Sequence, residues 1–235
     1  EGYQPRIHLE TMDTKVGGTA QVNLVIHTDT ELGHPERGLR DLDLLKKLEQ
    51  LEKHVVDFEH PTTGEKIVTS SSSILDVIKE TNRALHEGGQ RHYRLPDTQR
   101  GVSDALLLFE SASPRDLQRL ATADLSRSHI TLRIHWMDAT AYEPFTEHIR
   151  LGMDQFVGEA AFVQPTGSVY ELVTIVSGLI ADLLRSFSAA LVSITIMMIL
   201  LLRNLKLGLI AMIPNLVPVA FIMGFMGFAG IDLDL

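Results

Sequence analysis

Ten histidines are the residues best suited to chemistry, and all of them lie before position 150. Imidazole can ligate zinc and move protons near neutral pH. A helical metal motif of the His-Glu-x-x-His kind puts two of them one turn apart. The pairs His54/His60, His86/His92 and His129/His135 are each six apart. That spacing fits neither one helical face nor a short chelating loop. No metal site is expected, and the histidines read as surface or core residues. His27 and His135 fall on strand candidates, where neutral packing is the simpler account. The chain has no Gly-rich phosphate loop, no Gly-x-Ser-x-Gly elbow and no convincing pair of acids. It also has no cysteine, which removes thiol catalysis, disulfides and Cys-ligated metals. Neither a catalytic residue nor a cofactor is expected, and the chain does not read as an enzyme.

The elements that must carry any function divide sharply by composition. Of 235 residues, 45% are hydrophobic and 22% charged, too apolar for a disordered chain. A net charge of -9 argues against a nucleic-acid partner, which would call for a basic patch. From residue 166 onward the basic residues are Arg185, Arg203 and Lys206, and the acidic ones Glu171, Asp182, Asp232 and Asp234. That leaves 18 of 21 basic and 26 of 30 acidic residues before it. The sequence begins at Glu1 without an initiator Met and reads as a piece of something longer.

Residues 186–202 and 207–231 carry no charge over 17 and 25 positions. A bilayer core takes about 20 apolar helical residues. Membrane helices are expected at about 183–203 and 207–230, with Arg185 snorkelling to the interface. Both lie far from the N-terminus, so neither is a signal peptide. Arg203 and Lys206 form a short positive turn between them, which belongs on the cytoplasmic face. Residues 1–165 then form an extracytoplasmic domain, and residues 166–235 a connecting helix plus the membrane hairpin.

Within 1–165, residues 20–28 alternate Ala20, Val22, Leu24 and Ile26 with polar partners, the mark of a half-buried strand. Leu42, Leu45, Leu48, Leu51 and Val55 give residues 39–56 an amphipathic helical face. The acidic residues of 39–54 read as its solvated side. Residues 66–70 form a short strand candidate. Ser73 and Asp76 resemble a capping box for a helix ending near Leu85. Further helices open near Pro96 and at Pro114. Residues 129–136 alternate again, with Ile130, Leu132, Ile134 and Trp136 on one side. A helix over 142–157 and a strand over 159–164 follow, and Ser168 caps a helix continuous with the membrane segment. The expected architecture is α+β: a ferredoxin-like βαββαβ order with a helical insertion, followed by a transmembrane hairpin. Rigid coupling of the domain to the membrane would follow from the unbroken helix.

The tail also carries a family resemblance. Pro214-Asn215-Leu216-Val217-Pro218, the run Met223-Gly224-Phe225-Met226-Gly227-Phe228 and Gly230-Ile231-Asp232-Leu233-Asp234 resemble the RND superfamily of transporters, in its MMPL-type branch of exporters. The turn at residues 202–209 is similar to that family's short cytoplasmic link. Gly17-Gly18-Thr19, the helix at residues 73–85, Leu95-Pro96-Asp97 and Pro165-Thr166-Gly167 fit its second extracytoplasmic loop. The resemblance implies the second porter domain with the two membrane helices after it; the Pro-Asn-x-x-Pro stretch favours the second repeat over the first. It further implies a multi-pass protein of the bacterial inner membrane. That protein would export lipid-like or hydrophobic substrates on the proton-motive force, with residues 1–165 periplasmic. Its acidic proton-relay residues would lie beyond Leu235.

On that reading Pro214, Asn215 and Pro218 form a hinge or interface in a spanning helix. Gly224 and Gly227 allow close helix packing, and Asp232 and Asp234 are interfacial caps. The partners implied are membrane lipids, a hydrophobic or amphipathic small molecule and the rest of the parent transporter, with no nucleic acid. Monomer and homo-oligomer both stay open, as does the substrate. An alternative is a lipid- or sterol-sensing receptor of the same fold that binds without pumping. A membrane-tethered enzyme lacks a catalytic constellation.

Overall fold

A computed structural model describes residues 13, 15, 17–28, 37–61, 64–137 and 139–229. The chain forms two compact units, Glu1–Val176 and Ser177–Leu235.

The first unit is built on four strands: β1 (Ala20–His27), β2 (Val68–Ser72), β3 (Arg127–Ile134) and β4 (Phe162–Thr166). They form one sheet in the order β2-β3-β1-β4. Every neighbouring pair is antiparallel. The unit is thus α+β. Alternation decides which side is covered. Ala20, Val22, Leu24 and Ile26 of β1 and Ile130, Leu132 and Ile134 of β3 are all buried. Gln21, Asn23, Val25 and His27 alternate with Arg127, His129, Thr131 and Arg133 on the opposite, more open face. Thr131 Oγ1 donates to Asn23 Oδ1 across it at 2.9 Å.

Helix α1 (Leu42–Val56) starts at Asp41, whose carboxylate accepts from the N–H groups of Asp43 and Leu44, both at 3.0 Å. Such a cap contributes about 1 kcal/mol. Leu44, Leu45, Leu48, Leu51 and Val55 are buried almost completely, and each is worth roughly 2 kcal/mol of transfer free energy. Packing, not capping, holds α1 in place. Helix α2 (Ile74–Leu85) begins with a full capping box between Ser73 and Asp76. Helices α3 (Gln99–Ala112, capped by Thr98) and α4 (Pro114–Leu120, with proline at its first turn) complete the insertion between β2 and β3. Helix α5 (Glu143–Gly152) leads to β4 through a π turn at Met153–Val157.

Boundaries differ from expectation where side-chain contacts override periodicity. The first helix is shorter than 39–56, because a separate 3-10 turn (Gly38–Arg40) precedes the Asp41 cap. The strand expected at 66–70 is Val68–Ser72, and its register slips between Val68 and Ser70. The one expected at 159–164 is Phe162–Thr166; it sits at the sheet edge and accommodates Pro165 there, the place a strand proline is tolerated. β3 ends at Ile134, so Trp136 does not join its inward row. Trp136 is 51% exposed, and its N–H donates to Asp13 Oδ1 at 3.1 Å. The helix expected over 142–157 stops being α-helical after Gly152. A Cβ there would lie 2.6 Å from His54 Cδ2, so the glycine lets α1 and α5 approach closely.

Helix α6 (Ser168–Leu202) has 35 residues, about 52 Å at 1.5 Å per residue. Its first turns bury Val169 and Val173 in the core of the first unit. In the second unit it is followed by α7 (Leu205–Ile210) and α8 (Ile213–Ala229). The second uncharged run is therefore two helices over the described residues, not one over 207–230.

Candidate functional site

The apolar helix comes first. α6 contains an 18-residue window of mean hydropathy 2.0, none of it buried. Among the described residues it is the one helix long and apolar enough to cross a membrane. Leu183, Leu184, Phe187, Ile194, Met197 and Leu200 are all exposed. A contiguous apolar surface of that kind is normally covered by lipid or by another protein.

α6 ends at Arg203, which adopts φ 48°, the left-handed conformation that closes helix C-termini. The next residue starts the following helix. Asn204 Oδ1 accepts from the N–H groups of Lys206 at 3.0 Å and Leu207 at 3.4 Å. The expected turn is therefore present, and Arg203 and Lys206 are both exposed. Sequence reasoning missed Gly208 as the packing glycine. A Cβ on Gly208 would lie 2.8 Å from Ile199 Cα and 2.9 Å from Ile199 N, so α7 contacts α6 backbone to backbone. The expected packing position Gly224 has nothing within 4 Å of its Cβ direction.

The break at Ala211 and Met212 has a covalent cause. Pro214 carries no N–H for the carbonyl of Ile210, and its ring crowds that carbonyl. Met212 N–H turns to Leu209 O at 3.1 Å, a tightened last turn, and α8 restarts with Pro214 near its N-terminus. Pro218 lies inside α8 and removes the bond to the carbonyl of Pro214. The Asn215 side chain, the surroundings of Gly227, and Asp232 and Asp234 lie outside the described residues.

Several polar clusters lie among the described residues of the first unit, and four of them carry titratable groups worth following. Glu52 corrects the reading of α1's acidic side as solvated: it is 6% exposed. Burial pushes its carboxyl above the usual range, with hydrogen bonding to Ser71 opposing. Ser73 Oγ lies 3.4 Å from both its oxygens. Ser73 is itself fully buried and caps α2 by accepting from Leu75 N–H at 3.2 Å. A hydroxyl so placed cannot meet a substrate, so the pair is structural. Beside it, burial and the adjacent Asp76 carboxylate push the Tyr93 phenol up to about 12; Tyr93 donates to Asp76 Oδ1 at 3.1 Å.

Asp13 gathers the second cluster. It accepts from Thr19 N–H at 2.7 Å, Thr19 Oγ1 at 2.9 Å, Trp136 N–H at 3.1 Å and His135 Nδ1 at 2.8 Å. Burial raises its carboxyl, but these donors outweigh that and hold it below the usual range. The third and fourth clusters are stacked imidazoles, His54 on His148 and His86 on His92. The structure thus stacks His54 on a residue of another helix, and His86 on His92. Among the described residues no three His, Asp or Glu side chains converge as a metal site would require.

No protein-family model matches the sequence, and no curated protein matches it significantly.

Proposed function

We propose that the chain is part of a membrane transporter of the RND superfamily, MMPL-type branch, in which residues 1–165 form an extracytoplasmic porter domain. The transporter exports lipid-like or hydrophobic molecules across the bacterial inner membrane on the proton-motive force. The carrying observation is α6, whose apolar window is wholly unburied and directly follows an α+β unit. The ordered tail motifs support the family. The strand order β2-β3-β1-β4, with helices between β1 and β2 and between β3 and β4, supports the ferredoxin-like reading. The proline-interrupted stretch after the positive turn suits a transporter helix better than a simple anchor.

The absence of cysteine makes single-cysteine mapping clean. In intact bacterial cells, an impermeant maleimide should label Ser111→Cys. Lys206→Cys should react only after the membrane is permeabilised. A chain released from membranes by alkaline carbonate, or a Ser111→Cys protected in intact cells, would sink the reading. Efflux of a lipophilic dye by the parent protein, stopped by a protonophore, separates export from sensing.

A further inference from the structure

The open face of the sheet contains a cleft of about 420 Å³ beside the C-terminal end of α4. Arg119, Arg127 and His129 line it together with Asn23, Thr122 and Thr166. Among the described residues no carboxylate lines it, although 30 Asp and Glu outnumber 21 Lys and Arg in the chain. Two described acidic neighbours have other contacts. Asp116 reaches Arg119 at 3.7 Å with both side chains exposed, a contact worth little. Asp124 faces its own turn, where it accepts from Ser126 N–H at 3.2 Å. Among the described residues no carboxylate pairs with Arg127.

The neutral groups point the same way. Asn23 Oδ1 is already taken by Thr131 Oγ1, which leaves the Asn23 amide N–H groups to donate into the cleft. We propose that this cleft binds the phosphate group of an organic phosphate. Arg119 of α4 and Arg127 and His129 of β3 line it together, and two guanidinium forks with an imidazole are a donor set that suits a tetrahedral anion with several oxygens. The volume exceeds that of a bare ion, so there is room for the organic body, with hydroxyl and amide groups to fix it. The phosphate belongs either to a soluble ester or to a lipid headgroup. This inference stands independently of the membrane reading, since every residue involved lies in the first unit.

The test is calorimetric titration of the full chain in neutral detergent with sn-glycerol 3-phosphate, with dihexanoyl phosphatidic acid and with glycerol. At least one phosphate should bind saturably and glycerol should not. Arg127→Gln should weaken binding about tenfold or more. Arg133→Gln, on the same face but outside the cleft lining, should leave it unchanged. If Arg127→Gln lowers the melting temperature, Arg119→Gln on the surface of α4 carries the same comparison. Tighter binding of the phosphatidic acid names a lipid headgroup; equal or tighter binding of glycerol phosphate names a soluble ester. No phosphate binding, glycerol binding of equal strength, or equal losses in Arg127→Gln and Arg133→Gln would overturn the proposal.

Discussion

The His54 and His148 rings stack with centroids 3.8 Å apart and planes 14° apart, joining α1 to α5. His148 Nε2 lies 3.0 Å from the His54 carbonyl, whereas His54 Nε2 is buried with no hydrogen-bond partner. Phe156 and Phe58 flank the pair. Burial, then the neighbouring His148, hold the His54 imidazole below its ordinary value. The folded chain therefore binds fewer protons at His54 than the unfolded chain does. Its contribution to stability is complete above the unfolded value of about 6.5 and is lost as the pH falls below it. Thermal melts of the wild type should drop between pH 7 and pH 5. His54→Leu should flatten that slope; an unchanged slope would place the pH dependence elsewhere.

Glu52 has the opposite sign. Its carboxyl is raised by burial, so the folded state holds the proton more tightly than the unfolded one. Stability from this group is full below the unfolded value of about 4.3 and decreases as the pH rises through the raised one. Glu52→Gln keeps a hydrogen-bonding partner for Ser73 and removes the buried charge. The variant should melt higher than the wild type at pH 8, with a smaller advantage at pH 5. A lower melting point at both pH values would mean that the charge is needed.

Tyr142 is buried, and its hydroxyl donates to His135 O at 2.6 Å while accepting from Met137 N–H at 2.8 Å. Tyr142→Phe leaves both backbone groups without that partner. The expected cost is about 1–3 kcal/mol, read by chemical denaturation. A loss below about 0.5 kcal/mol would show that water replaces the hydroxyl.

Two glycines of the apolar tail should respond differently to one methyl group. Gly208→Ala drives a Cβ against the Ile199 backbone, which cannot rotate away as a side chain could. Overpacking of this kind costs about 1–3 kcal/mol. Hydrogen exchange of residues 199–210 should accelerate. Gly224→Ala meets nothing within 4 Å and should exchange like the wild type. Similar behaviour of the two variants would contradict the close approach of α6 and α7.

Strict alternation made β1 and β3 legible in the sequence, and leucine spacing and a capping box did the same for α1 and α2. These signals are local and repeat within one element. β2 was displaced because Val-Thr-Ser-Ser-Ser offers a single buried residue, Val68. Glu52 was hidden because its partner Ser73 lies 21 positions away, outside α1. The His54–His148 stack joins helices 94 positions apart, beyond any spacing rule. Hydropathy could not see the break at Ala211 and Met212, since all its residues are apolar. The signal was there in Pro214, four residues after Ile210. Gly208 passed unnoticed because only the neighbouring helix shows why a side chain does not fit. The cationic cleft was equally invisible, because α4, β1, β3 and β4 each supply only part of it.

Pro165 has a consequence for how the sheet meets other chains. β4 is an edge strand of five residues, and an exposed edge invites another strand to pair with it. The proline leaves that short ladder one N–H short. An incoming strand would form fewer bonds there than at an uninterrupted edge, so association through backbone pairing is discouraged on that side. An edge interrupted in this way has less tendency to seed aggregates.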